Sequence, residues 1–86
     1  MSSLPPISPF IRGIYQHYKG NYYEVIDTAR SSETLEDLVI YRALYGEFDL
    51  WVRPLQMFQE TIEFNGKTMP RFTFISSQNA QEFLGK

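Results

Sequence analysis

The sequence predicts an all-β fold, on three observations. From Arg12 onward, short runs rich in β-branched and aromatic residues alternate with turn residues, as in an antiparallel meander. Two dipeptides, Gly20-Asn21 and Asn65-Gly66, have the chemistry of two-residue hairpin turns, the second being the strongest short hairpin signal a sequence offers. And the first eleven residues, with Pro5, Pro6 and Pro9 among serines, cannot form a helix or a central strand, because proline fixes φ and donates no hydrogen bond.

Taken in order, residues 1–11 read as an extended arm able to dock Phe10 or Ile11, residues 12–75 as the domain body and residues 76–86 as a polar tail that either forms a last helical turn touching the body through Phe83 and Leu84 or frays. The strand runs are 13–19, 22–30, 38–45, 50–53, 60–64 and 67–74. Ser31-Ser32-Glu33-Thr34 with Glu36-Asp37 makes an acidic loop, and Gly46-Glu47-Phe48-Asp49 a four-residue one. Pro54 to Gln59 suits one helical turn with proline at its first position, Met57 and Phe58 plugging the core. Five to six short strands expose too much unpaired backbone unless they curl on themselves, so the expected architecture is a small SH3-like barrel with one short helical turn.

Composition narrows the function classes. A chain of 86 residues buries only about 60–65% of the surface its unfolded form exposes, which disfavours a deep internal cavity. Seven Phe, six Tyr and one Trp are many for this length and can fill a core or form a binding surface. There is no cysteine, hence no disulfide framework and no thiolate chemistry, which suits a reducing compartment. A net charge of −2 gives no global pull toward nucleic acid. Apolar stretches fall far short of the roughly 20 residues of a membrane helix, and no signal peptide opens the chain, so a cytoplasmic protein with no membrane partner is expected.

Two hairpins carry the candidate chemistry. A two-residue turn at Gly20-Asn21 pairs Lys19 with Tyr22, Tyr18 with Tyr23, His17 with Glu24 and Tyr15 with Ile26, so that Tyr15, His17, Lys19, Tyr22, Glu24 and Ile26 share a face. Glu24 opposite His17 would favour the protonated imidazole and orient it for acid/base work; alternatively the pair only holds register. A four-residue loop at 46–49 sets Arg42 opposite Arg53, with Trp51 on the same face. Like charges across a ladder are destabilising, so either Glu24 or Glu60 neutralises them, or they hold an external phosphate or carboxylate beside a stacked planar group. A bulge at Gly46 would put the two arginines on opposite faces. Zinc needs about four ligands of Cys, His or carboxylate type, so one histidine without cysteine argues against a zinc site, and no phosphate loop, dinucleotide glycine pattern or nucleophile elbow is present; no metal and no cofactor are expected.

Gly13-x-Tyr15-x-His17-Tyr18-Lys19-Gly20, Tyr23-x-Val25, Ala29, Ser32-Glu33-Thr34, Tyr41-x-Ala43-Leu44-Tyr45-Gly46, Leu50-Trp51-Val52-Arg53-Pro54, Met57-Phe58 and Gly66-Lys67-x-x-Pro70-Arg71-Phe72 together resemble the bacterial family called domain of unknown function 1653, over about residues 13–72. The resemblance implies a free-standing SH3-like β-barrel protein of bacterial origin with no established activity. Members often carry histidine just before the Ser-Glu-Thr run, where this chain has Ser31.

Three functions follow. The first is a non-enzymatic binding module whose aromatic and basic face (Tyr15, His17, Lys19, Tyr22, Glu24, Arg42, Trp51, Arg53) holds a small anionic ligand or an acidic partner. The second is a single-stranded nucleic-acid-binding protein, with Tyr15, Tyr22 and Trp51 stacking bases while Lys19, Arg30, Arg42 and Arg53 meet phosphates, an arrangement the acidic pI opposes. The third is a small enzyme with His17 as acid/base, for which so short a chain leaves little supporting shell.

Overall fold

A computed structural model describes residues 10–85 as seven antiparallel strands and two short helices. They are β1 (Gly13–His17), β2 (Tyr22–Arg30), β3 (Asp37–Ala43), β4 (Leu50–Pro54), α1 (Leu55–Phe58), β5 (Thr61–Phe64), β6 (Lys67–Pro70), β7 (Phe72–Ser76) and α2 (Ala80–Leu84). The chain is all-β, as its sequence predicts. Of the expected arm, residues 1–9 lie outside the described residues. Phe10 does dock, its ring stacked 5.7 Å from Tyr15 and edge-on to Phe58, while Ile11 stays exposed and lends only its carbonyl to the Tyr15 hydroxyl. No described helix is long and apolar enough to cross a membrane.

The expected barrel is not closed by hydrogen bonds. Five strands form an open sheet in the order β4-β3-β2-β1-β7, and β5 with β6 forms a separate ribbon. The predicted run 67–74 breaks at Arg71, whose N–H donates to the Glu60 carbonyl while its own carbonyl accepts from Tyr18. The backbone there ties the ribbon to the first hairpin, and β7 continues along β1, leaving β4 as an edge.

One face of the sheet carries the core: Tyr15, Val25, Val39, Tyr41 and Phe72, closed by Leu55 and Phe58 of α1. Phe58 stacks almost parallel on Phe72 at 4.0 Å and meets Tyr15 and Tyr41 edge-on, geometries that suit the ring quadrupoles. The core plug is thus Leu55 with Phe58, and Met57 is exposed. On a single helical turn, residues three apart share a face and the two between do not. Pro54 precedes the helix as its N-cap residue, so the turn starts one position later than expected. On the opposite face Ile14 is fully buried, and α2 lies alongside, its Phe83 ring 5.1 Å from Tyr22. A reciprocal capping box between Asn79 and Glu82 starts that helix.

Both hairpin registers differ from expectation by three residues, and for the same reason. Gly20-Asn21 is not a two-residue turn: the Gly20 N–H donates to the His17 carbonyl, the His17 N–H donates to the Asn21 carbonyl, and Gly20 has φ of 112°. Tyr18-Lys19-Gly20 is therefore a three-residue loop with its glycine at the positive-φ position. Tyr15 pairs with Tyr23 and Ile14 with Glu24, so His17 and Glu24 face opposite sides. In the second hairpin Gly46 and Phe48 both have positive φ, and the Ala43 N–H donates to the Asp49 carbonyl. Tyr41 then pairs with Trp51, and Arg42 with Leu50 rather than Arg53. An odd shift reverses every cross-strand face relation, because side chains alternate with period two. Asn65-Gly66, by contrast, is the expected turn, both residues at positive φ and Phe64 opposite Lys67.

A tyrosine-rich cleft as the candidate functional site

The corrected registers separate the predicted site residues into two groups. Tyr15 is a core residue, 7% exposed, its hydroxyl spent on the Ile11 carbonyl. Tyr22, Glu24 and Arg42 lie on the opposite face; Arg42 donates to the Phe48 carbonyl at 2.7 Å and so staples the β3–β4 loop. The paired-arginine anion site does not form. His17, Trp51 and Arg53 remain on the core face, with Lys19 in the loop just beyond His17.

What the structure adds is three tyrosines. Tyr23, Tyr41, Tyr45, Trp51 and Arg53 line a cleft of about 200 Å³ at the β3–β4 end of the core face. Adjacent registers put them there: Tyr41 is directly opposite Trp51, and Tyr23 sits opposite Ala43, whose small side chain leaves the space into which Tyr45 turns. Tyr45 is carried over the sheet because the Leu44 N–H bonds back to the Tyr22 carbonyl just before Gly46 turns the chain. The Tyr23 and Tyr45 hydroxyls are 2.7 Å apart. Burial, then the Tyr45 hydrogen bond, raises the Tyr23 pKa well above the ordinary phenol value, so this phenol stays protonated. Two phenols sharing one hydrogen bond leave one O–H free to donate.

Arg53 adds the charge. Its Nε donates to the Tyr41 hydroxyl at 3.2 Å, and its guanidinium lies 5.9 Å from the Phe72 ring centre. Among the described residues no carboxylate is within ion-pair range of Arg53, whereas Arg12 pairs with Asp27 and Arg71 with Glu60. His17 stands at the rim, its ring 6.3 Å from Tyr23 and 4.9 Å from Phe72. Its Nδ1 accepts from the Lys19 N–H at 3.2 Å. Burial, then the charges of Arg53, Arg71 and Lys19, lowers its pKa, the reverse of the raised value expected beside Glu24. His17 is thus a neutral imidazole among cations.

A larger cleft of about 380 Å³, lined by Phe10, Ile11, Tyr15, Phe58, Gln59, Phe72 and Phe74, contains no charged group and has the character of incomplete aromatic packing. Among the described residues no group of three or more His, Asp or Glu could hold a metal ion.

No curated protein matches the chain. Among solved structures it is similar to the crystal structure of a DUF1653 protein from Bordetella bronchiseptica, with 35% identity and a TM-score of 0.72, covering 77% of this chain and 87% of that one. The model of the family described as "Protein of unknown function (DUF1653)" matches residues 13–74, which include every residue lining the tyrosine-rich cleft. The chain belongs to the DUF1653 family.

Proposed function

We propose that this protein is a non-enzymatic binding module that holds a small planar anion, an aromatic carboxylate or a phosphorylated ring compound, in the cleft between Tyr23, Tyr41, Tyr45, Trp51 and Arg53. The observation that carries this reading is the lining itself: phenols, an indole and a guanidinium, with no acidic side chain. Such a site is rich in donors and poor in acceptors, which suits an anion. Trp51 is 53% exposed and offers a ring face for stacking beside the charge. The size of the cleft suits a ligand smaller than a typical cofactor. Neutral His17 and protonated Tyr23 serve here as polar contacts at the rim and wall rather than as acid/base groups.

A thermal-shift screen of aromatic carboxylates, mononucleotides and phosphorylated metabolites tests the proposal, since a ligand of the folded state raises apparent stability by mass action. Quenching of Trp51, the single tryptophan, gives an independent readout. Arg53→Ala should weaken a hit by about tenfold or more, the scale of a charge-assisted hydrogen bond. Arg42→Ala, on the other face, should leave affinity unchanged. A hit equally tight to the Arg53 and Arg42 variants would place the ligand elsewhere, and no hit at millimolar concentration would remove the reading.

A further inference from the structure

We infer that two copies of this chain associate through β4, pairing antiparallel about a twofold axis at Val52. β4 is the edge of the five-stranded sheet, with β3 on one side only. Its outward-facing backbone groups follow from the hydrogen-bond alternation. The Leu44 N–H bonds to β2 and the Ala43 N–H to Asp49, so along β3 the residues Ala43, Tyr41 and Val39 bond toward β4. Their partners Asp49, Trp51 and Arg53 therefore spend their amides and carbonyls inward, and Leu50, Val52 and Pro54 present theirs to the free edge. Pro54, which has no N–H to offer, stands at an outward position, where an edge strand tolerates proline.

Proline and charge guard only the end of this edge, at Pro54 and Arg53, and leave its first three residues unprotected. Leu50, Trp51 and Val52 are 53%, 53% and 56% exposed, and neither lysine nor a bulge interrupts them. A second copy fits because the strand is complementary to itself. With Val52 opposite Val52 of the other copy, the two exchange both of their outward hydrogen bonds, and each Leu50 N–H meets the other copy's Pro54 carbonyl. On the cleft face Trp51 then lies directly across from the second copy's Arg53, forming two symmetric cation–aromatic pairs. That supplies the partner Arg53 lacks among the carboxylates of the described residues. On the other face Leu50 and Val52 meet Val52 and Pro54 of the second copy. The opposite edge, β7, reads Phe72-Thr73-Phe74-Ile75-Ser76 and has no such charge complement. The result is an isologous dimer with one continuous sheet, in which the two clefts flank the axis.

The test is sedimentation or light scattering across a dilution series, with Trp51 emission followed in parallel. The expected result is a dimer that dissociates on dilution with a red shift of Trp51 emission. Val52→Lys keeps every bond to β3 but sets two ammonium groups face to face at the axis; Val52→Glu does the same with carboxylates. Each variant alone should be monomeric with an unchanged circular dichroism spectrum, and an equimolar mixture should recover the dimer. A wild-type protein monomeric at its highest soluble concentration overturns the inference. So does a Val52→Lys variant that dimerises like wild type, or a mixture of the two variants that stays monomeric.

Discussion

At the scale of single residues, His17 shows how neighbours decide what a side chain does. Paired with Glu24 it would have been a cation; placed beside Arg53, Arg71 and Lys19 and half-buried against Phe72, it is held neutral. Its folded pKa therefore lies below the unfolded value of about 6.5. A group of this kind binds more protons unfolded than folded, so its contribution to stability is complete above the unfolded pKa and declines as pH falls toward the folded one. Thermal melts should show stability decreasing on acidification below about pH 6.5, through a component that disappears in His17→Gln, where the amide oxygen can still accept from Lys19. A variant with the same pH slope as wild type would assign the loss to other groups. Tyr23, which also faces the imidazole, has its pKa raised by burial, carries no charge in that range and adds nothing to the slope. Of the eight residues the sequence singles out, three, His17, Trp51 and Arg53, lie at the cleft or its rim. The sequence did not reveal Tyr23, Tyr41 and Tyr45, because a tyrosine's face depends on register, and register depended on two loops whose glycines take positive φ.

At the scale of elements, the strands were legible because β-branched and aromatic runs have few alternatives, and β2 fills its predicted span, 22–30. Loop length was less legible. A Gly-Asn pair is compatible both with a two-residue turn and with the end of a three-residue loop, and only the hydrogen bonds of His17 distinguish them. The break at Arg71 had one local signal, Pro70, which has no N–H for a ladder, but the contacts to Glu60 and Tyr18 that place it are distant in sequence. Gly13 is the element-scale constraint with the sharpest consequence. It opens β1 at φ of 144°, and a Cβ there would sit 2.2 Å from the Ser76 carbonyl oxygen of β7. Gly13→Ala should therefore cost more than about 1–3 kcal/mol, the range of backbone strain alone, because the clash adds to it. Gly20→Ala, at φ of 112° but with open space around the new methyl, should cost only the strain. Urea titration of the two variants checks this, and equal losses would mean that close approach between β1 and β7 is unimportant.

For the whole molecule the question is what stabilises a sheet that neither closes into a barrel nor buries both faces. The answer is one aromatic junction. Phe58 touches Phe10, Tyr15, Tyr41 and Phe72, which belong to the entering chain, β1, β3 and β7, so a single ring ties β3 to β1 and β7, with which it shares no ladder. It is 1% exposed, and α1 exists largely to deliver it with Leu55. A domain of this size has a total stability of about 4–13 kcal/mol. Phe→Ala at a buried site costs about 3–5 kcal/mol in lost transfer energy and residual cavity, so Phe58→Ala should remove a large fraction of it and lower the melting temperature by about 15–30 °C. The larger aromatic cleft adjoins the same ring and would merge with the new void, which limits any relaxation that might soften the loss. Met57→Ala, one residue earlier on the same helical turn but exposed, should cost less than about 1 kcal/mol. Thermal and denaturant unfolding of the pair separates packing from helix propensity, because both substitutions introduce alanine into α1. Similar losses for Met57 and Phe58 would show that the helix itself, rather than the ring it carries into the junction, holds the open sheet together.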